Sequence, residues 1–161
     1  MKPFRKRTYA GPGDFFADLR FIAANRRALN RLMHGGGLDP AFRERVMLAV
    51  TQVNDCRFCI HAHGKMAREA GLPPDEVRAL LGGSFADCPE DELPALMWAR
   101  EWAEAGCAPD ALPEGPLTER YGAETARALV LAMRLIRAGN LAGNTADRFL
   151  YWVSRGRMGG D

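Results

Sequence analysis

The chain has 161 residues, of which 47% are apolar and 26% charged, and its 22 basic and 20 acidic side chains mix along the length to leave a net charge of +2. That size suits one domain with a buried core, here expected to span residues 1–161, and is too short for two. The balanced charge excludes the single-sign field that nucleic-acid binding draws on, and no run of about 18 uncharged apolar residues exists to cross a bilayer.

The start, Met1-Lys2-Pro3-Phe4-Arg5-Lys6-Arg7, is basic, but it runs into Gly11-Pro12-Gly13-Asp14 instead of the apolar stretch of a secretory signal. Residues 1–13 therefore read as an N-terminal extension, a solvated basic tail, and the cytoplasm is the expected location. Beyond it, apolar residues recur at helical spacing between Gly, Pro and Asp-Pro breaks, which predicts an all-α fold. A first helix is expected over 14–33, with Phe15, Leu19, Ile22, Leu29 and Leu32 on its apolar positions, ending at Gly35-Gly36-Gly37. Asp39-Pro40 caps a second, which carries Phe42, Val46, Leu48, Ala49 and Val53. Asn54-Asp55 offers a break and a new cap, so 56–70 form a third helix stopped by Gly71. A short helix over 74–81 and a longer one over 90–105 follow, then a Pro-rich connection over 106–115. The last third predicts helices over 123–138 and 141–153, with a bend at Gly139-Asn140.

Of the four cysteines, Cys56 and Cys59 form a C-x-x-C pair, and two histidines fall within the same eight residues of ERVMLAVTQVNDCRFCIHAHGKMAREAG, Glu44 to Gly71. At about 100° per residue, Cys59 lies roughly 60° and His63 roughly 20° from Cys56 around the helix, whereas His61 points about 140° away. Cys56, Cys59 and His63 thus share a face. A free thiol of pKa about 8.5 is mostly protonated at neutral pH, and the thiolate is the reactive form. Two features lower that pKa here: the positive end of the helix in its first turn, and the His63 imidazole at i, i+4 from Cys59. The helix end favours Cys56 and the histidine favours Cys59. We let the histidine decide, which makes Cys59 the nucleophile and Cys56 the resolving thiol that closes a disulfide before a sulfenic acid oxidises further. Glu44, in the preceding helix, comes back near His63 if the two helices pack as a hairpin, and there it orients the imidazole.

These residues resemble the AhpD-like members of the carboxymuconolactone decarboxylase superfamily, whose pattern is a glutamate, eleven residues, then C-x-x-C-x-x-x-H. Glu44, Cys56, Cys59 and His63 stand at those spacings, and LVLAMRLIRAGN, residues 129–140, is similar to the family's next core helix, so the resemblance covers about half of the chain. It implies a helical bundle assembled as a homo-oligomer, a trimer or hexamer. It further implies reduction of alkyl hydroperoxides through a C-x-x-C dithiol/disulfide cycle with Glu44 and His63 as proton relay. The reductant is then an unidentified thiol or dithiol, and no cofactor or metal is called for. The best-studied members carry a histidine just before the second cysteine, where this chain has Phe58. The decarboxylase branch lacks the cysteine pair, which argues against lactone decarboxylation.

Other readings of the same residues are a zinc site built from the cysteines with His61 and His63, a thiol-disulfide oxidoreductase acting on a protein or small thiol, and a non-enzymatic assembly module that senses redox state. The zinc reading lacks a second C-x-x-C to complete four ligands. His61 and His34 receive no role, Cys88 and Cys107 read as free loop thiols, and Trp98, Trp102 and Trp152 as core or subunit-interface residues. Asn140 and Asn144, one turn apart, read as residues that cap or bridge helices.

Overall fold

The computed structural model describes residues 3–108 and 112–159, and every regular element among them is helical. Helices α1 (Pro12–Ala24), α2 (Arg26–Met33), α3 (Pro40–Asn54), α4 (Arg57–Glu69), α5 (Pro74–Leu81), α6 (Leu93–Glu104) and α7 (Gly115–Val153) follow in chain order. Helix α3 lies at the centre, against α4, α5, α6 and α7. Its sequence explains the position: Phe42, Val46, Met47, Leu48, Ala49 and Val50 are buried all round the helix, so no face of it can be left to water. The second long packing surface is α7, whose Leu129, Ala132, Met133 and Ile136 join Leu80, Leu96, Ala99 and Trp102 in the same core.

The starts and stops of α3, α4 and α5 follow local chemistry. Asp39 caps α3, its carboxylate accepting from the N–H groups of Ala41 and Phe42 at 3.0 Å each, with Pro40 in the first turn where no N–H is missed. The helix ends where Asp55 turns left-handed (φ 51°, ψ 48°), a conformation that Asp tolerates better than most residues. Gly71, at φ 96°, ends α4.

Three expectations differ from what is found. The helix expected over 14–33 is two helices, because Asn25 sits at φ −103°, ψ 11° and its side-chain amide donates to the Phe21 carbonyl at 2.9 Å, competing with the helix ladder. The bend expected at Gly139-Asn140 does not occur. There α7 runs straight through, Gly139 serving close packing against Cys59 and Asn140 serving buried hydrogen bonds; the non-helical residue inside α7 is Gly122, at φ 79°, ψ 159°. The N-terminal segment is not a solvated tail in the part described. Arg7 donates to the carbonyls of Ala103 and Glu104, Lys6 pairs with Asp55 at 3.5 Å, and Phe4 packs on Tyr151. The N–H of Tyr9 donates to Thr145 and the carbonyl of Arg7 accepts from Asn144, so residues 3–11 form a strap laid along α7. Within the expected connection over 106–115, residues 109–111 lie outside those described. No helix is long and apolar enough to cross a membrane among the described residues.

Candidate functional site

The left-handed turn at Asp55 reverses the chain so sharply that only two residues separate α3 from α4. Cys56 lies in extended backbone (φ −87°, ψ 104°) as the N-cap of α4, one position before the first turn in which it was expected; Cys59 is the third residue of the helix. The two sulfurs are 3.1 Å apart, both as free thiols. A disulfide bond is about 2.05 Å long, so the pair closes by about one ångström. Cys56 is fully buried, whereas Cys59 reaches a cavity of about 370 Å³ that His63 also lines.

The two thiols are electrically unequal. Cys56 is drawn down to about 6, first by its hydrogen bond with the Cys59 thiol and then, against the cost of burial, by the amide N–H groups of Cys59 and Phe58 in the free first turn of α4. Cys59 is pushed up, first by its hydrogen bond with Cys56 and then by burial, with the nearby Asn140 amide pulling in the other direction.

His63 and Glu44 meet as the hairpin of α3 and α4 requires: His63 Nδ1 lies 2.8 Å from Glu44 Oε2, and Glu44 is fully buried. The other carboxylate oxygen, Oε1, accepts from Arg43 Nε at 2.9 Å and lies 2.8 Å from Arg43 Nη2, while Arg43 Nη1 donates to the Leu32 carbonyl at the end of α2. His61 is exposed, on the far side of α4, and His34 is an exposed residue bonded to the Asn30 carbonyl. Among the described residues no cluster of three or more His, Cys, Asp or Glu side chains is arranged to hold a metal ion.

Beneath the dithiol lies a set of buried polar residues. Asn54 donates to Asn140 Oδ1 at 3.1 Å, Asn140 donates to Thr51 Oγ1 at 3.2 Å, and Asn144 donates to the Asn54 carbonyl at 2.7 Å, all four side chains being at most 1% exposed. Cys107, expected in a loop, is there but buried, 3.6 Å from the Asn54 amide, and burial raises its pKa. Cys88 is likewise a buried loop thiol, pushed up to about 11 by burial. Trp102 is core and stacks with Trp98, while Trp152 is exposed. Close to the sulfurs α7 carries glycine: a Cβ on Gly139 would stand 3.7 Å from Cys59 Sγ, and one on Gly143 only 2.6 Å from Cys56 Sγ. Asp147, one turn on, is fully buried and pairs with Arg57 at 2.7 Å.

The cavity walls are mostly apolar, from Phe15, Leu19, Ile22, Leu135, Ile136 and Ala142. Its polar rim is Tyr9, whose hydroxyl donates to Asp18 at 2.8 Å, and Asp18 also receives Arg137. Sequence reasoning missed Arg43, because neighbours in a helix do not normally face each other, and it missed Tyr9 and Asp18, because nothing local marks a segment that docks on the far end of the chain. Asn140 and Asn144 were visible as polar residues inside an apolar run, and they do bridge helices.

The fold and this arrangement define a helical dithiol protein, with the cysteine pair at a helix N-terminus beside a histidine paired to a buried glutamate. The family model of the carboxymuconolactone decarboxylase family matches residues 20–105, just over half of the chain, and the chain belongs to that family. The matched span holds Glu44, Cys56, Cys59 and His63 but neither the strap nor α7. No curated protein and no solved structure matches the chain.

Proposed function

We propose that the protein is an AhpD-like peroxidase-type oxidoreductase that reduces organic hydroperoxides at Cys59, in one domain that assembles as a homo-oligomer in the cytoplasm. The observation that carries this reading is that Cys59 and His63 line one mostly apolar cavity while the Cys56 sulfur lies 3.1 Å from that of Cys59. A peroxide entering there meets Cys59 first, since Cys56 is fully buried.

In the proposed cycle His63 takes the Cys59 proton as the Cys59 sulfur attacks the outer oxygen of the hydroperoxide. The O–O bond breaks, a sulfenic acid forms on Cys59, and the departing alkoxide recovers the proton from His63 as the alcohol. The Cys56 thiolate then attacks Cys59 sulfur; the S–S bond forms and hydroxide leaves, gaining a solvent proton to become water. Two electrons have passed from the dithiol to the peroxide, and an external thiol or dithiol returns them. Glu44 holds the imidazole in place throughout.

The low thiol pKa of Cys56 supports a second reading, thiol-disulfide exchange with a protein or small thiol, because a thiolate of about 6 is populated at neutral pH. One experiment separates the two: single-turnover peroxide consumption by the reduced protein, with the product mapped by mass spectrometry and Cys59→Ser run beside it. Consumption of one equivalent with a Cys56–Cys59 disulfide only in the unsubstituted protein supports the peroxidase. A disulfide that forms with model disulfide substrates but no faster with peroxide than a free thiol does supports exchange, and neither reaction sinks both.

A further inference from the structure

We propose that Arg43 is a positioning residue that fixes the orientation of the side chain at position 44 and so holds a Glu44 oxygen on His63 Nδ1, which keeps the ring in its Nδ1–H tautomer. Arg43 and Glu44 are adjacent in α3, and both are buried, at 5% and 0% exposure, so water does not compete for their hydrogen bonds. Arg43 is anchored independently of the site, since its Nη1 is committed to the Leu32 carbonyl at 2.8 Å. Its Nε and Nη2 both converge on Glu44 Oε1, at 2.9 and 2.8 Å. A guanidinium offers donors only, so whatever group stands at position 44 must turn an acceptor toward Arg43.

The second oxygen, Oε2, is thereby left 2.8 Å from His63 Nδ1. A carboxylate oxygen accepts, so Nδ1 carries the ring proton and Nε2 is the nitrogen with the free lone pair. That is the nitrogen left for the cavity His63 shares with Cys59. The inference rests on the dithiol reading only in giving the free nitrogen a task; the tautomer itself is a property of the resting protein.

The logic is tested by replacing the carboxylate with an amide of the same shape. In Glu44→Gln the single amide oxygen is claimed by Arg43, the NH₂ group turns to His63, and a donor now faces Nδ1. Nitrogen-15 spectra of the neutral ring should show Nδ1–H in the unsubstituted protein and a change to predominantly Nε2–H in Glu44→Gln. In the double variant Arg43→Met/Glu44→Gln the amide is free to turn over, and the Nδ1–H form should return. A residue that merely supported the fold would leave the tautomer unmoved. Nδ1–H persisting in the folded Glu44→Gln variant, or Nε2–H in the unsubstituted protein, overturns the proposal; the latter reading needs no variant to fold. Because the readout is spectroscopic, absent peroxide turnover overturns the proposed function and leaves this inference standing.

Discussion

Gly143→Ala places one methyl group where the structure has none to spare. The added carbon would sit 2.6 Å from Cys56 Sγ and 3.3 Å from a ring carbon of Phe58. Neither atom is the end of a long flexible chain: the sulfur is one bond from Cβ in a buried N-cap residue, and α7 is tied to the Asn54 carbonyl through Asn144 one residue on. Overpacking of that kind costs about 1–3 kcal/mol, set against the ~1 kcal/mol by which alanine is the better helix former. The net expectation is a destabilisation of about 0–2 kcal/mol, or a fall of up to about 8 °C in Tm for a chain of this size. Gly139→Ala, one turn earlier, meets Cys59 Sγ at an ordinary 3.7 Å and should stabilise by about 0.5–1 kcal/mol. Thermal unfolding of the reduced protein followed by circular dichroism reads both, and a double-mutant cycle with Cys56→Ala assigns the clash, since removing the sulfur should recover most of the Gly143→Ala loss. Equal stability of the two glycine variants would refute the claim that α7 is packed against the dithiol at these two points.

The 240 nm thiolate absorbance of the reduced protein should rise through a midpoint near 6 from Cys56, the thiolate being present above that pH and lost below it; in Cys59→Ala the midpoint moves up, because the largest stabilising partner has gone. Since a lowered thiol pKa stabilises the fold only while the thiolate is present, the dithiol protein should lose stability as pH falls from the ordinary thiol range to about 6, which urea unfolding at pH 5 and 8 checks. Asn140→Ala leaves the Asn54 amide without its acceptor and removes a group that favours Cys59 ionisation; a loss of about 1–3 kcal/mol and slower alkylation of Cys59 are expected, and unchanged alkylation in the folded variant would count against the amide's influence on that sulfur. Arg57→Ala strips the buried Asp147 carboxylate of its cation and should cost about 1–3 kcal/mol in urea unfolding, below the full penalty for a buried pair because the Arg57 side chain is 43% exposed and water replaces part of it.

Short-range chemistry explains what could be read from the residues alone. Asp39-Pro40 and Gly71 carry their own conformational instructions, and the helix over 74–81 lies where its pattern places it. The spacing of Glu44, Cys56, Cys59 and His63 was legible because a tight turn between two helices maps sequence distance directly onto space. Gly139-Asn140 misled for an instructive reason. Both residues favour breaks in isolation, but here the absent side chain of one admits a sulfur and the amide of the other satisfies buried partners, so tertiary contacts override local preference. Arg43 gave no signal, because its partner is its own neighbour in α3, and the strap gave none because its contacts with α6 and α7 lie more than ninety residues away.

That last separation carries a consequence for how the molecule comes to be. Tyr9 belongs to the cavity beside Cys59 and is held by Thr145, across 136 residues of chain. Helices α3 and α4 can bring the two thiols together through local contacts, but the wall over them is closed by residues 3–11 meeting α7. Loop closure of that length comes late in folding. The dithiol can therefore form before its cavity does, and the shape of that cavity depends on the contact between the strap and α7.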